Sequence, residues 1–499
     1  MKKSSRSLFG IIAFAAVLAF SLTACGGGGG GGVKVVLPDV GDGLSAATAY
    51  EISHAGHLKA IANEVNNGNP DYINAYYKLT NNIDLKPFSK GAGWTPIGYI
   101  VEFKGNFDGG GFIISNLAID NNALNYAGLF GFVRGGTIEN LGVEISASGI
   151  TGRNYVGGVA GVVNAGNITN CYVTGNVNGL RWVGGVVGGV NTGNITNCYA
   201  TGNVEGGISD VGGVAGYVEN STMTNCYATG DIIATGDVFG RSNAGGVAGY
   251  VADGCNISNC YATGDISGGD YVGGVAGGID RGFGVSSSVS NCYATGNVTS
   301  AGDYVGGVAG MVWGSTASNC YATGNVKGNN YVGGAAGQVG STGSVSNCYA
   351  TGKVEGNNQV GGAVGIVTNN STVSNCAALN ESIVDSSSSP PGSDFGRVAG
   401  QFETGVVLIG AALTDNFAFD GTISTVTFSG TELDGAAITK AQATTDQSHF
   451  DGTGGAPQLG WDFGGDDLNP WKWGGTSYPL PILYWQTTAP TLPAGHPLL

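Results

Sequence analysis

The octapeptide NCYATGNV occurs at Asn291–Val298 and again at Asn319–Val326, and close variants recur along the middle of the chain. Each copy contains an Asn-Cys pair, so the cysteines measure the period of the repeat. Their successive spacings are 27, 28, 34, 32, 28, 28 and 28 residues, for Cys171, Cys198, Cys226, Cys260, Cys292, Cys320, Cys348 and Cys376. A nearly fixed period of this length indicates a solenoid or another repeat array.

The residues of one repeat indicate which type of solenoid the chain forms. A unit reads YVGGVAGxV, a short turn and xxxNCYATGNV, which predicts two or three short strands and no helix. Repeat classes whose units need a helix are therefore excluded. We predict an all-β, right-handed parallel β-helix with one ~28-residue repeat per coil and coils about 4.8 Å apart.

Strand alternation then assigns the residue types to the two sides of the coil. Val, Ile, Ala and Cys are predicted to fill the lumen, whereas Asn, Thr and part of the tyrosine row face outward. Glycines of VGGVAG should allow a corner or a close approach of coils, and Asn tolerates left-handed turns and can form amide ladders. The longer spacings around DIIATGDVFGRSN and DRGFGVSSS predict loops.

The chain begins with a signal for export. The basic segment MKKSSR precedes the apolar segment LFGIIAFAAVLAFSL, and LTAC matches a bacterial lipobox that ends at Cys25. This order predicts cleavage before Cys25 and lipidation of its thiol, which anchors the protein to a membrane. An uncleaved anchor helix and an ordinary signal peptide cut near Ala24 are the alternatives. Because Gly26 follows Cys25, the outer membrane is favoured if the cell has two membranes.

Changes in composition predict six segments. They are a signal peptide at 1–24, a lipidated Cys with a Gly-rich linker at 25–41, an N-terminal cap at 42–88, repeats at 89–395, C-terminal coils and a cap at 396–486, and a Pro-rich tail at 487–499. The N-terminal cap contains one helix with Ser53 as N-cap, which Gly68 and Pro70 end. Its predicted buried face holds Leu58, Ile61, Ala62 and Val65.

Four of the seven tryptophans are close to the C-terminus: Trp461, Trp471, Trp473 and Trp485. If exposed, their indoles offer a platform on which carbohydrate rings can stack. If buried, they close the last coil and protect an open edge. The second interpretation is favoured. A stacked ladder is likewise favoured for the row Tyr172, Tyr199, Tyr227, Tyr261, Tyr293, Tyr321 and Tyr349.

Several segments resemble a known family. NYAGLFGFV contains Gly128-Leu129-Phe130-Gly131, the G-L-x-G pattern of the GLUG motif, and the VGGVAG copies resemble drifted versions of it. Flanking segments such as YYKLTNNIDL and YPLPILYW resemble those around GLUG repeats in bacterial surface proteins, so the resemblance covers residues 42–486. It implies a non-catalytic role, since GLUG repeats are found in surface adhesins and outside the catalytic part of immunoglobulin A metallopeptidases.

Candidate chemical sites are sparse in the sequence. The zinc motif His-Glu-x-x-His is absent, and His54 and His57 lack a third ligand, so we predict no metal and no cofactor. Asp108 in NFDGGGF fits a β-turn better than a calcium site. The acidic residues Asp210, Asp237, Asp270 and Asp303 have no matching basic row, which disfavours a polysaccharide-cleaving site.

The cysteines are expected to be mostly reduced and buried. Without Cys25 the exported chain keeps nine cysteines, an odd number, and ladder thiols on parallel side chains are poorly placed for disulfides. We therefore interpret them as small hydrophobic residues of the core. Cys255 and Cys260 are the one pair for which a local disulfide is considered.

The net charge and the predicted location limit the functions that the protein can have. The formal net charge of −16 argues against nucleic acid as a partner. The sequence favours a monomeric, lipid-anchored, non-catalytic adhesin or binding scaffold on the cell surface, with a host glycan or matrix protein as possible partner. A structural surface-layer or spacer protein is the first alternative, and a polysaccharide-acting β-helix enzyme is the second.

Overall fold

A parallel stack of short strands makes up most of the protein. The computed structural model describes residues 33–236, 241–368, 370–387, 394–402, 412–420, 423–424, 436–444, 448–451, 459, 461–464, 466, 470–474, 478–492 and 496–498. The fold is an all-β parallel solenoid of about 12 coils, and one repeat forms one coil, as predicted.

Each coil has five walls, which we number in chain order. In one coil they are Asn154–Val156, Ala160–Asn164, Asn167–Thr169, Tyr172–Thr174 and Val177–Gly179. The prediction of two or three strands per repeat is wrong, because residues in left-handed conformations interrupt the extended backbone at the corners. Ala165 has φ 53°, Asn170 53° and Gly175 98°.

The walls are continuous parallel sheets in the described part of the chain. Wall 1 contains Asn154–Val156, Arg181–Gly184, Val211–Gly212, Arg241–Gly245, Asp270–Gly273, Val305–Gly306, Asn330–Gly333, Asn358–Gly361 and Phe395–Gly396. Wall 2 contains Phe130–Arg134, Ala160–Asn164, Val187–Asn191, Ala215–Glu219, Ala248–Ala252, Ala276–Asp280, Ala309–Trp313, Ala336–Gly340, Val364–Val367 and Ala399–Phe402. Wall 3 contains Tyr50–Ile52, Tyr76–Leu79, Asn106–Asp108, Thr137–Glu139, Asn167–Thr169, Asn194–Thr196, Thr222–Thr224, Asn256–Ser258, Ser288–Ser290, Thr316–Ser318, Ser344–Ser346, Thr372–Ser374 and Ala412–Thr414.

Walls 4 and 5 adjoin each other, and the strands Ile113–Asp120 and Gly142–Thr151 extend across both. The other strands of wall 4 are Ile83–Asp84, Tyr172–Thr174, Tyr199–Ala200, Tyr227–Ala228, Tyr261–Ala262, Tyr293–Ala294, Tyr321–Ala322, Tyr349–Ala350, Ala377–Ala378, Phe417–Phe419 and Ala436–Ile438. The other strands of wall 5 are Val177–Gly179, Val204–Gly206, Ile232–Ala234, Ile266–Gly268, Val298–Ser300, Val326–Lys327, Val354–Gly356, Ser382–Asp385 and Ile423–Ser424.

The register places equivalent residues of successive repeats next to each other. Tyr172 pairs with Tyr199 on wall 4, and Val177 pairs with Val204 on wall 5. The Val, Ile, Ala and Cys side chains of the repeat fill one continuous core inside the coils, as predicted. Each coil therefore provides the surface on which the next coil packs.

The glycines of VGGVAG are required by close approach between coils. A Cβ on Gly273 would lie 2.7 Å from the Cα of Ala309 in the next coil, and one on Gly274 would lie 2.0 Å from the carbonyl oxygen of Gly307. Both distances are far below van der Waals contact, so a larger residue forces the backbone apart.

The Asn residues that precede the repeat cysteines form the predicted ladder from Asn140 to Asn225 and again between Asn319 and Asn347. Asn170, Asn197 and Asn225 have φ between 53° and 55°, which Asn tolerates better than most residues. The Nδ2 of Asn197 donates to Oδ1 of Asn170 at 3.0 Å, and that of Asn225 donates to Oδ1 of Asn197 at 3.1 Å. The repeated Asn thus satisfies a corner and links adjacent coils.

One of the predicted loops lies within the described residues. The residues 281–285 of DRGFGVSSS form a turn between the wall 2 strand Ala276–Asp280 and the wall 3 strand Ser288–Ser290. Part of the other loop, at 237–240, lies outside the described residues.

The helix Ala55–Asn66 forms the N-terminal cap, and Leu58, Ile61, Ala62 and Val65 are buried in the core as predicted. Its N-cap is His54 rather than Ser53, because the His54 Nδ1 accepts a hydrogen bond from Gly56 N at 3.1 Å. Pro70 does not simply end this helix; it is the first residue of the short helix Pro70–Ile73.

The other helices of the described residues are short: the 3-10 turns Ala46–Thr48 and Lys86–Phe88, and the helices Lys440–Thr444 and Ser448–Asp451. An antiparallel pair joins Trp471–Trp473 to Pro481–Leu483. Within the described ranges, none of the helices has the length and apolar character needed to cross a bilayer.

Candidate functional site

The C-terminal tryptophans pack against the tyrosine row of wall 4. The Trp485 ring centroid lies 5.5 Å from that of Tyr293, and the Trp471 centroid lies 6.0 Å from that of Tyr349. Trp461 lies 6.1 Å from Tyr349 and donates its indole N–H to the Asn375 carbonyl at 2.8 Å. The segment therefore covers the flank of the solenoid, and these side chains belong to a hydrophobic cluster separate from the lumen.

Two of the four tryptophans cannot form part of a ligand platform, because they are buried. Trp461 is 2% exposed and Trp471 is 1% exposed, so neither indole offers a face to a ligand. Trp473 and Trp485 are half-buried in the same cluster. The predicted burial is present, but it comes from contact with the outer side of wall 4 rather than from closure over the lumen. Cys25 lies outside the described residues.

The tyrosine row is a stacked ladder that is covered over only part of its length. Neighbouring ring centroids between Tyr172 and Tyr349 lie 4.6 to 5.2 Å apart. Tyr321 and Tyr349 are fully buried under the C-terminal segment, whereas Tyr172 and Tyr199 remain half-exposed. Because each ring face is stacked on the next ring, the open part offers edges and hydroxyls rather than faces to a ligand.

Eight of the cysteines form a column inside the lumen, and the ninth, Cys255, stacks instead between Ser221 and Ser287 of the adjacent coils. Cys171, Cys198, Cys226, Cys255, Cys260, Cys292, Cys320, Cys348 and Cys376 are buried and free, as predicted. The Cys255 thiol donates to the Ala252 carbonyl at 3.0 Å, and the Cys260 thiol donates to the Ser258 carbonyl at 3.1 Å, so these two thiols are not paired with each other. Burial raises the pKa of Cys255 to about 11, which keeps it protonated and unreactive at neutral pH.

A second aromatic column lies along wall 1, and the sequence reasoning missed it. Its members have φ between 54° and 63°, which is rare for bulky residues: Tyr126, Tyr155, Trp182, Tyr271, Tyr304 and Tyr331. The ring centroids of Tyr155 and Trp182 lie 4.4 Å apart. The sequence signal is the aromatic residue that precedes V-G-G at Tyr155, Trp182, Tyr271, Tyr304 and Tyr331, and stacking between coils offsets the cost of its left-handed backbone.

Asp210 and Asn243 occupy the next two positions of this column and interrupt it. The Asn243 Nδ2 donates to Asp210 Oδ1 at 2.6 Å, and burial raises the pKa of Asp210 to about 6. Nearby, Asn191 Nδ2 donates to the Glu219 carboxylate at 2.6 Å, and burial followed by repulsion from Asp253 raises the pKa of Glu219. Asp210 thus lies beside the wall 1 strand Val211–Gly212, whereas Glu219 and Asp253 lie at the ends of the wall 2 strands Ala215–Glu219 and Ala248–Ala252.

These carboxylates hydrogen-bond to the protein itself. Asp280 accepts from the Tyr250 hydroxyl at 2.6 Å and from Gly282 N at 3.1 Å, and Asp253 accepts from Phe283 N. Among the described residues, no group of three His, Cys, Asp or Glu side chains is arranged to hold a metal ion. Asp270 begins the wall 1 strand Asp270–Gly273, and Asp303 lies just before the wall 1 strand Val305–Gly306 and accepts hydrogen bonds from the side chains of Asn329 and Asn330. Asp237 lies outside the described residues.

Two other candidate groups have structural partners. The His54 and His57 ring centroids lie 3.8 Å apart, and His57 is buried rather than solvated, because it packs in the helix start with Ser53 N 3.4 Å from its Nδ1. Asp108 Oδ1 accepts hydrogen bonds from Gly110 N at 2.8 Å and from Asn140 Nδ2 at 3.1 Å. Asp108 thus closes a turn and begins the Asn ladder.

Between residues 167 and 374, the outward side chains of wall 3 are small and polar. In each strand the middle residue points into the lumen, as Ile168 and Ile195 do, and its two neighbours point outward. Asn194 Nδ2 donates to Asn167 Oδ1 at 2.8 Å, which links outward side chains of adjacent coils. Over these coils the wall is a regular array of hydroxyl and amide groups, whereas its earlier strands carry Lys78, Asp108 and Glu139.

Comparisons with known proteins agree with the repeat structure. The family described as "The GLUG motif" matches residues 152–178, 183–205, 207–233, 240–267, 268–299 and 328–355. Halomucin of Haloquadratum walsbyi is 34% identical over 137 residues, which cover 27% of this chain and 2% of Halomucin. A protein of Evansella cellulosilytica described as a Gly-rich membrane protein is 33% identical over 120 residues, which cover 21% of this chain and 13% of the relative.

The chain therefore spans only a small part of the length of these two relatives. Among solved structures, one from Bacteroides ovatus described as an immunoglobulin A1 protease aligns over 90% of this chain and 96% of its own, with 17% identity and a TM-score of 0.30. The six matched stretches all lie in the stacked coils. The chain thus contains GLUG motifs at these six stretches, and they form coils of a parallel β-solenoid.

Proposed function

We propose that this chain is an exported, lipid-anchored surface protein that acts as a non-catalytic adhesin or binding scaffold. The anchor is Cys25, which follows a basic segment and an apolar segment and precedes a run of glycines. The names of the relatives, Halomucin and a Gly-rich membrane protein, support a position at the cell surface.

The observation that carries the binding role is the outer surface of the solenoid. Successive coils repeat the same side chains in register, so a weak contact made by one coil is multiplied along the stack. The buried carboxylates near Asp210 form hydrogen bonds with amides, hydroxyls and backbone groups of the protein, which supports binding rather than polysaccharide cleavage. We expect a glycan or a matrix protein of a host as partner and a monomer as the functional state.

The anchor is tested in cells that express the full chain, with Cys25→Ala as the matched variant. The wild type should incorporate a labelled fatty acid, remain with the membrane fraction and be cut by protease added to intact cells. The variant should carry no label and leave the membrane. Equal labelling of both chains would refute the anchor, and resistance to external protease would refute surface display.

The binding role is tested with purified residues 33–499 on arrays of glycans and matrix proteins. Retention on at least one class of ligand, without release of soluble sugar, supports the adhesin. No retention on any ligand, together with normal display on cells, would instead indicate a structural spacer. Release of reducing ends from a bound polysaccharide would indicate an enzyme.

A further inference from the structure

The outward residues of wall 3 keep one chemical class through eight consecutive coils. Each of the eight strands contributes a first and a third residue, which gives two ranks and 16 positions. The first rank is Asn167, Asn194, Thr222, Asn256, Ser288, Thr316, Ser344 and Thr372. The second rank is Thr169, Thr196, Thr224, Ser258, Ser290, Ser318, Ser346 and Ser374. All 16 are Asn, Thr or Ser, so this face carries no charge on a protein whose net charge is −16.

The other walls show that repetition alone does not explain this uniformity. The matching outward column of wall 5 contains Glu205, Ile233 and Lys327 at equivalent positions. On wall 2 the equivalent column contains Tyr217 and Met311. The repeats have therefore diverged in charge and size on those walls, whereas on wall 3 only small, uncharged, hydrogen-bonding residues replace one another.

The two ranks form a flat lattice. Coils are about 4.8 Å apart and the ranks about 6.6 Å apart, so eight strands cover a length of about 34 Å. Hydrogen bonds along a rank orient the side chains, as between Thr372 Oγ1 and Ser344 Oγ at 3.1 Å. Such a surface presents donors and acceptors at fixed intervals, without a cleft that encloses a single sugar.

An exposed aromatic residue lies beside this lattice. Phe283 is 92% exposed in the turn that leads from Asp280 of wall 2 to Ser288 of wall 3, and its backbone N–H is held by the Asp253 carboxylate. A solvated phenyl ring is costly to expose and is suited to stacking against the apolar face of a sugar ring. It adds a second kind of carbohydrate contact at the edge of the hydroxyl and amide array.

We propose that wall 3 between residues 167 and 374, together with Phe283, binds an uncharged polysaccharide presented as an ordered surface. This inference rests on the proposed binding role and names its face and ligand class. The absence of charge on both partners avoids desolvating ions, and the acidic protein repels anionic polymers. An array of parallel polysaccharide chains can engage many rungs at once, so weak single contacts add up.

The test measures retention of residues 33–499 on microcrystalline cellulose and chitin, with soluble anionic glycans and matrix proteins as other ligands. The wall 3 variant is Thr222→Lys with Thr316→Lys, and both positions are exposed. The matched control is Thr263→Lys with Thr299→Lys, which adds the same charge at exposed positions in and beside wall 5. Phe283→Ala is a third variant, and circular dichroism and thermal unfolding establish that all are folded.

Retention of the wild type and control, with about tenfold weaker retention of the wall 3 variant and a smaller loss for Phe283→Ala, is the expected result. Equal retention of the wall 3 variant and the control would overturn the inference and place the binding face elsewhere. Binding only to anionic glycans or matrix proteins would overturn it too, yet leave the proposed adhesin role intact. Failure of the wild type to bind any ligand would overturn both.

Discussion

Replacing Asp210 with Asn should stabilise the solenoid at neutral pH. Asp210 is 7% exposed, and its Oδ1 accepts a hydrogen bond from the Asn243 Nδ2. Burial raises the pKa of this carboxyl from 3.8 to about 6, despite donors that favour the ionised form. An Asn side chain has nearly the same shape and keeps an oxygen for Asn243, but it carries no charge to desolvate.

The expected size follows from the change in pKa. A rise from 3.8 to about 6 corresponds to roughly 3 kcal/mol of unfolding free energy. Below pH 3.8 the carboxyl is protonated in both the folded and the unfolded chain, so it causes no pH dependence there. Between that pH and about 6 the unfolded chain loses its proton first, and folding stability falls as pH rises. Above pH 6 the full loss is present.

The assay is urea unfolding of wild type and Asp210→Asn at half-unit steps between pH 3.5 and 8. The difference in unfolding free energy should grow from near zero at the acidic end to roughly 3 kcal/mol in favour of the variant above pH 6. Asp231→Asn, at an exposed turn, is the control and should change stability by less than about 0.5 kcal/mol. A variant that is equally stable or less stable than wild type at pH 7 would refute the reasoning.

Three other predictions concern contacts along the outer walls and the lumen. Lys327 and Lys353 lower the pKa of Glu355 to about 2, so Glu355→Gln should remove up to about 1 kcal/mol of folding stability. This stability is present above pH 4.5 and is lost as the pH falls towards 2. High salt should reduce the loss caused by the substitution, and a loss that does not depend on salt would contradict the prediction. Trp471→Ala should weaken docking of the C-terminal segment by about 3 to 5 kcal/mol, so that the backbone at Tyr321 and Tyr349 becomes accessible to hydrogen exchange and proteolysis. The coils between residues 142 and 234 should stay protected, and unfolding of all coils together would contradict the prediction. The nine thiols of residues 33–499 should resist alkylation in the native state at pH 8 and react in urea, and rapid labelling of Cys255 would contradict its burial.

The sequence predicted features that depend on neighbouring copies of the repeat. The Cys column, the Asn ladder and the stacked tyrosines follow from residues one period apart, because one coil is one repeat. The number of walls in each coil could not be predicted in the same way. It depends on left-handed corners at residues such as Ala165, whose identity gives little sign of that conformation.

Features that join distant segments could not be predicted from the repeat. Gln486 donates to the Tyr321 hydroxyl across 165 residues, and this contact is part of the reason that the C-terminal segment lies on wall 4 instead of over the last coil. The hydrogen bond between Asn243 and Asp210 could not be predicted either, because it requires two adjacent coils that both carry a changed residue at the same position. In both cases the missing information is which side chains meet across coils.

The central structural claim is that one repeat is one coil, and deletion of a single coil tests it most directly. Removing residues 171–197 joins Asn170 to Cys198 and keeps every rung of the ladder in register, away from the C-terminal segment. We predict that the protein without residues 171–197 keeps a β-rich circular dichroism spectrum and a cooperative thermal transition within a few degrees of that of the wild type. Removing residues 171–184 instead places a wall 3 strand directly before a wall 2 segment, and we expect this deletion to unfold the coils around it. If both deletions are tolerated equally, or if the whole-coil deletion unfolds the protein, the repeat is not the unit of stacking.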